Sequence, residues 1–466
     1  MGVTTSDASL IHYMRRHSPD DRTIDSAAFL PFSGAPVGSF QGYLFSNIPK
    51  QEMTETKQDP SKEVSLTTQT AVYGIGLFTT SVFHVGSVII PLYAYTFNPN
   101  PFVFGLVFGA AHFLPLLFSI HAGALMDRLG SRRVMLFCTS LAVLLPLTYP
   151  LAADIWILIA LQMILGLCES MGWLGAQTMI GQYMHGRTKY AGRLSFVIRF
   201  GQLCAPPMAG LIWDLFGVWG SFILMSVWAS GSVFFALALP AQTRAAPVLK
   251  EPAKTESTFK TLMPRLEDYR LALGLLGTPS VAVIVALGAM MHSGNAVQSS
   301  FYVAWLTEMG ITGTAIGLLS PAGAIGAALF SLMTARLMRY IDGFWIVLLS
   351  LWAGIILICI TPLLGTYFLL QVAMFLRSGL NGLAQPLVIT LVLRGAGSDN
   401  QGKAVGLRGT ANRTASILAP LAMGAIAEVV GLETAFYVTG VALSLIMAAL
   451  AVFLYLRRDV AAAGED

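Results

Sequence analysis

The chain has 466 residues, of which 55% are hydrophobic and 11% charged, with a formal charge of +4. A soluble protein carries about 25% charged residues, so the composition excludes an ordinary soluble fold and indicates a polytopic α-helical membrane protein. The basic residues lie in short connections between apolar segments, which excludes a nucleic-acid surface. All four cysteines (Cys138, Cys168, Cys204, Cys359) lie inside apolar segments, which excludes a disulfide framework or a zinc site.

Residues 1–65 are polar, lack the apolar core of a signal peptide, and read as a disordered cytoplasmic tail. Met53 opens a second tail-like stretch, MTETKQDPSKEVSLTTQ, and is an alternative start of translation. Twelve apolar segments follow, each near or above the ~20 residues a spanning helix needs. They fall at about 68–96, 102–126, 132–151, 155–182, 190–215 and 218–240, then 280–307, 312–338, 343–364, 367–394, 402–428 and 433–456. The fold class is therefore all-α, with two six-helix bundles over 66–240 and 280–457. A polar linker, 241–279, carries Lys250, Lys254, Lys260, Arg265 and Arg270, and a short tail, 458–466, ends the chain.

Loop charge sets the expected orientation. The connections after segments 2, 4, 6, 8 and 10 hold Arg128, Arg132, Arg133, Arg187, Lys189, the linker cations, Arg336, Arg339, Arg394 and Lys403. The other connections hold acids such as Asp154, Asp214, Glu308, Glu428 and Glu433, and no Lys or Arg. Both termini and the linker are expected on the cytoplasmic side of the cytoplasmic membrane.

The stretch Lys189 to Phe222 recurs, shifted by 214 positions, as Lys403 to Phe436. Gly192, Arg199, Ala205, Pro206, Gly210, Gly217 and Phe222 return as Gly406, Arg413, Ala419, Pro420, Gly424, Gly431 and Phe436. The period is about half the chain, so one half is duplicated. Gly105-Leu106 and Gly317-Leu318 match in segments 2 and 8, and His84 and His292 stand at matching places in segments 1 and 7. Two halves of one topology place a binding site between them near the midplane, exposed alternately to the two sides by rocking.

The connection between segments 2 and 3, Gly123-Ala-Leu-Met-Asp127-Arg128-Leu-Gly130-Ser-Arg132-Arg133, resembles the signature loop of the major facilitator superfamily. The resemblance spans about 66–457. It implies a twelve-helix secondary transporter in which Gly123, Asp127, Arg128, Gly130, Arg132 and Arg133 latch the cytoplasmic side, with Asp127 pairing near Lys403 and Arg408. In segment 5, Gly201-x-x-x-Ala205-Pro206-Pro207-x-Ala209-Gly210 is similar to the antiporter motif of drug:proton antiporters in that superfamily. The same small-residue stripe also suits close helix packing, as do Pro420 and Gly424 in segment 11. Gln162 stands where those antiporters carry an arginine.

Deep in the segments stand three arginines, Arg199, Arg377 and Arg413, and one acid, Glu169. Intramembrane charge is costly and marks function by default. Glu169 on segment 4 reads either as a proton-coupling group facing the cleft or as a structural partner of Arg199. Three cations against one carboxylate favour an anionic solute, with Arg377 as its expected grip. His84, His292, Asn295 and Gln298 are further candidates for substrate or proton contact, and Tyr93, Trp173, Phe301, Tyr302 and Trp305 for aromatic walls or helix packing. The expected function is proton-coupled transport of a small organic anion by a monomer in the lipid bilayer, without cofactor. Drug or metabolite efflux by proton antiport and a non-transporting receptor or scaffold are the alternatives. No phosphate-cradling loop or catalytic triad points to an enzyme.

Overall fold

The computed structural model describes residues 64–184, 188–239, 273–396 and 401–457. Within them the side chains of 119–125, 127–129, 180–183, 188–189, 191 and 401–402 are not described. The tail before residue 64, the linker over 240–272 and the tail after 457 fall outside, as do the side chains of Gly123, Asp127 and Arg128 and the whole of Arg187.

Ten helices are long and apolar enough to cross a membrane, and Gly343–Cys359 is a shorter apolar one. The helix Thr188–Ala238 is broken at Gly217, whose φ of 61° only glycine adopts readily. It therefore counts as two, giving twelve crossing segments among the described residues. In chain order these are α1 (Leu66–Thr96), α2 (Pro101–Leu129), α3 (Ser131–Thr148), α4 (Ile155–Met184), α5 (188–216) and α6 (218–238). The second half holds α7 (Pro279–Glu308), α8 (Gly313–Ser331), α9 (Gly343–Cys359), α10 (Tyr367–Ala396), α11 (Gln401–Val430) and α12 (Leu432–Leu456).

The helical choice follows from the solvent. Apolar stretches in lipid must satisfy every backbone N–H and C=O within the segment. The starts are written locally. Asn100 caps α2 through Oδ1 on the Val103 N–H at 2.9 Å, with Pro101 at the first helical position. Thr312 caps α8, and Asp342 caps α9 by accepting from the Phe344 N–H at 2.9 Å. Gly217 and Gly431, partners in the repeat, have φ of 61° and 83° and turn α5 into α6 and α11 into α12. So tight a corner leaves no loop between segments 5 and 6.

Segment 7 departs from regular helix: its residues Gln298–Tyr302 form a π-turn between Val297 and Val303. Such turns concentrate at functional sites. Segment 8 ends at Ser331, short of the expected 338, and a single separate turn, Thr334–Leu337, follows it.

Within the first half α1 packs on the α5–α6 hairpin and α2 on α4; within the second, α8 and α9 pack on α10 and α7 on α11. The halves meet along two seams, α2 with α11 and α5 with α8. The contacts in these seams cluster near the α2 start and the α5 end, at the face opposite the chain ends, here called the far end. A Cβ on Gly210 would lie 1.9 Å from the Gly313 oxygen, and one on Gly317 2.3 Å from the Pro206 oxygen. In the other seam a Cβ on Gly105 would lie 2.3 Å from the Pro420 oxygen, and one on Gly424 2.5 Å from the Pro101 oxygen. The small residues of segments 5 and 11 thus serve backbone-to-backbone approach between halves, while Gly201 packs beside Leu77 and Ser81 of α1. Among the described residues the close contacts between the halves lie at the far end, whereas Gly192 and Gly406, toward the end that carries the chain termini, have open space beside them. Leu117, Phe118, Phe196 and Leu332 are exposed there.

Candidate functional site: the cleft between the halves

Arg413 rises from α11 and crosses to the first half, donating from Nη2 to Ser170 Oγ on α4 at 2.8 Å. It is the side-chain hydrogen bond that bridges the two halves at mid-helix depth. Glu169 is the next residue along α4, half-buried, and makes no ion pair or hydrogen bond among the described residues. Around Arg413 lie His112 of α2, His292 of α7 and Arg408 of α11. His112 is within Coulombic reach of Arg413 and His292, and His292 of Arg408 and Arg413. All five groups, Glu169 included, are neither fully buried nor fully exposed, as side chains lining a cleft should be. Two arginines and two histidines thus gather around the bridging contact, whereas Glu169 has its electrostatic neighbours, Tyr149 and Cys168, within the first bundle. Arg408 Nε and the buried Asn412 Oδ1, one helical turn apart on α11, have no hydrogen-bond partner among the described residues.

A second polar group lies on α7 and α10. Arg377 Nη2 donates to Asn295 Oδ1 at 3.1 Å, and Asn381 Nδ2 donates to the same oxygen at 3.0 Å. Asn295 is exposed, whereas Arg377 is 5% exposed and turned into the second bundle, beside Gly354 of α9 and Gly294 of α7. Its register explains this. Helices α4 and α10 are both 30 residues long and begin and end 212 positions apart. Arg377 therefore matches Leu165, a core leucine at 1% exposure. The arginine expected to grip substrate occupies a core position, with Asn295 between its guanidinium and the cleft.

The same register places Glu169 opposite Asn381 and Ser170 opposite Gly382. Arg199, the repeat partner of Arg413, consequently has no serine to bind on α10. It is exposed on α5 and makes no hydrogen bond or ion pair among the described residues, so the Glu169–Arg199 pair is not formed. His84 stands apart from His292, edge-on to the Phe83 ring with centroids 5.4 Å apart. Gln298, in the π-turn, contacts the Met374 sulfur. Tyr93, Phe301, Tyr302 and Trp305 are buried packing residues, whereas Trp173 is exposed. Arg132 donates to the Ala236 and Leu237 carbonyls, both at 3.2 Å, where a cation suits a helix C-terminus. Gly130 has a φ of 88° and makes the α2–α3 turn, and Arg133 is exposed.

His112, Ser170, Asn381 and Asn412 were not singled out from sequence. His112 was visible as one of two imidazoles, with His121, inside the apolar run of segment 2, and Ser170 as the neighbour of the one deep acid. Neither stands in the repeated stretch that drew attention.

The Major Facilitator Superfamily profile matches residues 71–306 and again 284–466, one match to each half of this architecture. The chain belongs to the Major Facilitator Superfamily. Solved superfamily structures share the fold at low identity. The nucleoside transporter NupG is 14% identical with a TM-score of 0.65, over 82% of this chain and 98% of that one. A POT family transporter in complex with a thioalcohol-conjugated peptide is 12% identical with a TM-score of 0.64, over 83% and 95%. A bacterial homologue of the human lysosomal transporter Spinster, inward-facing and unoccupied, is 16% identical with a TM-score of 0.56, over 85% and 95%. No curated protein matches the sequence. The chain is thus a multi-pass membrane transporter of this superfamily.

Proposed function

We propose that this transporter carries a small organic anion through the cytoplasmic membrane, coupled to protons, as a monomer with both termini cytoplasmic. The observation that carries the reading is Arg413: a guanidinium held across the cleft by a neutral hydroxyl, 2.8 Å away, with no carboxylate bonded to it among the described residues. A buried charge without a countercharge is expensive, so this site favours an anion. A guanidinium fork suits a carboxylate or phosphate in two-point contact.

Coupling follows from competition for one cation. With Glu169 protonated, Arg413 and Arg408 are uncompensated cations with the neutral imidazoles of His112 and His292 beside them, and an anion displaces Ser170 from Arg413. With Glu169 ionised, its carboxylate is one residue from Ser170 and competes for the same guanidinium, releasing the anion. A proton and an anion therefore bind together and leave together, which is symport. Basic residues in the connections at the end opposite the seams favour a cytoplasmic location for it, and on this reading the conformation is the inward-open one.

Purified protein in liposomes tests the reading. An inward-directed pH gradient drives uptake of the transported organic acid in the native protein. Glu169→Gln loses that drive but retains exchange of external for internal anion. Uptake of cationic but not anionic solutes refutes the anion assignment.

A further inference from the structure

The far end is shut by two seams that the repeat makes equivalent, and each carries a carboxylate at the same place. Asp214 ends α5, and its counterpart 214 positions on, Glu428, ends α11. Each reaches the start of a helix in the opposite half. Asp214 accepts from the Gly313 N–H at 2.9 Å, the Thr314 N–H at 2.7 Å and the Thr314 hydroxyl at 2.6 Å. These are donors of the first turn of α8, which no intrahelical carbonyl can satisfy. A carboxylate there also meets the positive end of the helix dipole. Glu428 receives one contact, from Asn100 Nδ2 at 3.3 Å, and Asn100 has already spent its own oxygen capping α2. The two positions are related by the duplication, yet one makes three short charge-assisted bonds and the other a single long exposed one.

We infer that Asp214 is the latch that holds the far end closed, with Thr314 as its receiver, and that the α2–α11 seam has no latch of comparable strength. These bonds cross between bodies that must part for the far end to open, so they exist only in the conformation described here. They bias the cycle toward it without touching solute. Asp214 is a positioning residue: it acts on the equilibrium between two open states. The inference uses alternating access but no assignment of anion or proton, so it stands or falls separately from the transport chemistry proposed above.

The test is a distance measurement on the full chain in liposomes, with the four cysteines replaced by alanine. Spin labels go at Trp219, in the first half, and Met309, in the second; these are 50% and 48% exposed near the far end. Pulsed electron–electron resonance then reads the ratio of far-end-open to far-end-closed molecules. Asp214→Ala should raise that ratio about tenfold or more, within the usual range for coupled states. Thr314→Val keeps both backbone donors and the side-chain shape, and should raise it by a smaller factor of about three. Glu428→Gln should change it less than Thr314→Val does. An unchanged distribution in Asp214→Ala overturns the inference, as does equal opening by Glu428→Gln. If Asp214→Ala does not yield folded protein, the near-isosteric Thr314→Val decides alone.

Discussion

The inter-half glycines allow a sharper perturbation than any charge. Replacing Gly210 by alanine puts a methyl 1.9 Å from the Gly313 carbonyl oxygen and 2.5 Å from its carbon. Both neighbours are backbone, so no side chain can swing aside, and the α5–α8 seam must part by about 1.5 Å to restore contact. Overpacking of this kind costs about 1–3 kcal/mol. Only the conformation with the far end closed bears that cost, because neither bundle is strained once the seam opens. The expected result is a shift of the closed-to-open ratio by roughly 5- to 150-fold, read with labels at Trp219 and Met309. Gly166 supplies the control. A Cβ there would also fall 1.9 Å from a backbone oxygen, that of Ala111, but the contact is between α4 and α2 within one bundle. Gly166→Ala should lower the melting temperature and leave the distance distribution alone. If the two variants behave alike, losing stability without redistribution, the seams do not separate during the cycle and the two-body reading of this fold is wrong.

Three further outcomes bear on the cleft. Arg413→Gln removes a charge-assisted bond of about 1.5–3 kcal/mol and should weaken anion binding by roughly 10- to 150-fold in a calorimetric titration, with the melting temperature little changed. Arg377→Leu installs on α10 the residue type that α4 carries at Leu165. It should hold or raise the melting temperature, since a buried guanidinium with neutral partners is weak evidence for stability. The same variant removes one of the two donors to Asn295 Oδ1 and leaves Asn381 as the other, and transport should fall through a raised KM. His112→Ala removes a neutral hydrogen-bond donor and should weaken inhibition of uptake by a monoanion and a dianion of the same skeleton alike. Unchanged inhibition by both would remove His112 from the site.

Much of the architecture was legible because lipid makes strong demands of sequence. Twelve apolar runs, one-sided loop cations and a shifted repeat yield two six-helix halves with little ambiguity. The boundary that moved is the end of segment 8, at Ser331 rather than 338, and the π-turn at Gln298–Tyr302 inside segment 7 is invisible to an apolar count. The site was harder to read, because hydropathy says that a charge is deep without saying which way it points. Arg377 and Arg413 look alike along the chain. Only the fit of α4 on α10 reveals that the first stands at a core position and the second at a cleft position. Ser170 was similarly silent, since a serine in a membrane helix commonly bonds its own backbone. Its value comes from a residue 243 positions away.

What the duplication kept and what it changed separate gating from chemistry. The matched features are those of the seams: Gly210 with Gly424, Pro206 with Pro420, Gly105 with Gly317, and the corner glycines Gly217 and Gly431. A rocking pair of bundles needs both seams to close to the same depth, so a change in one is tolerated only with a change in the other. The unmatched features are the polar groups of the cleft helices. Glu169 faces Asn381 in the register, Ser170 faces Gly382, and Leu165 faces Arg377. As a result one repeated arginine, Arg413, is tied across the cleft, and its twin, Arg199, is left free. A solute bound by identical groups from both halves would be held equally in either open state and would shift no equilibrium. Here the acid belongs to one half and Arg408 and Arg413 to the other, and under the proposed symport protonation or anion binding would change the attraction between the halves themselves. In this fold directional coupling is therefore expected to reside at positions where the two copies disagree, and exchanging Ser170 and Gly382 should transfer the bridging contact from Arg413 to Arg199.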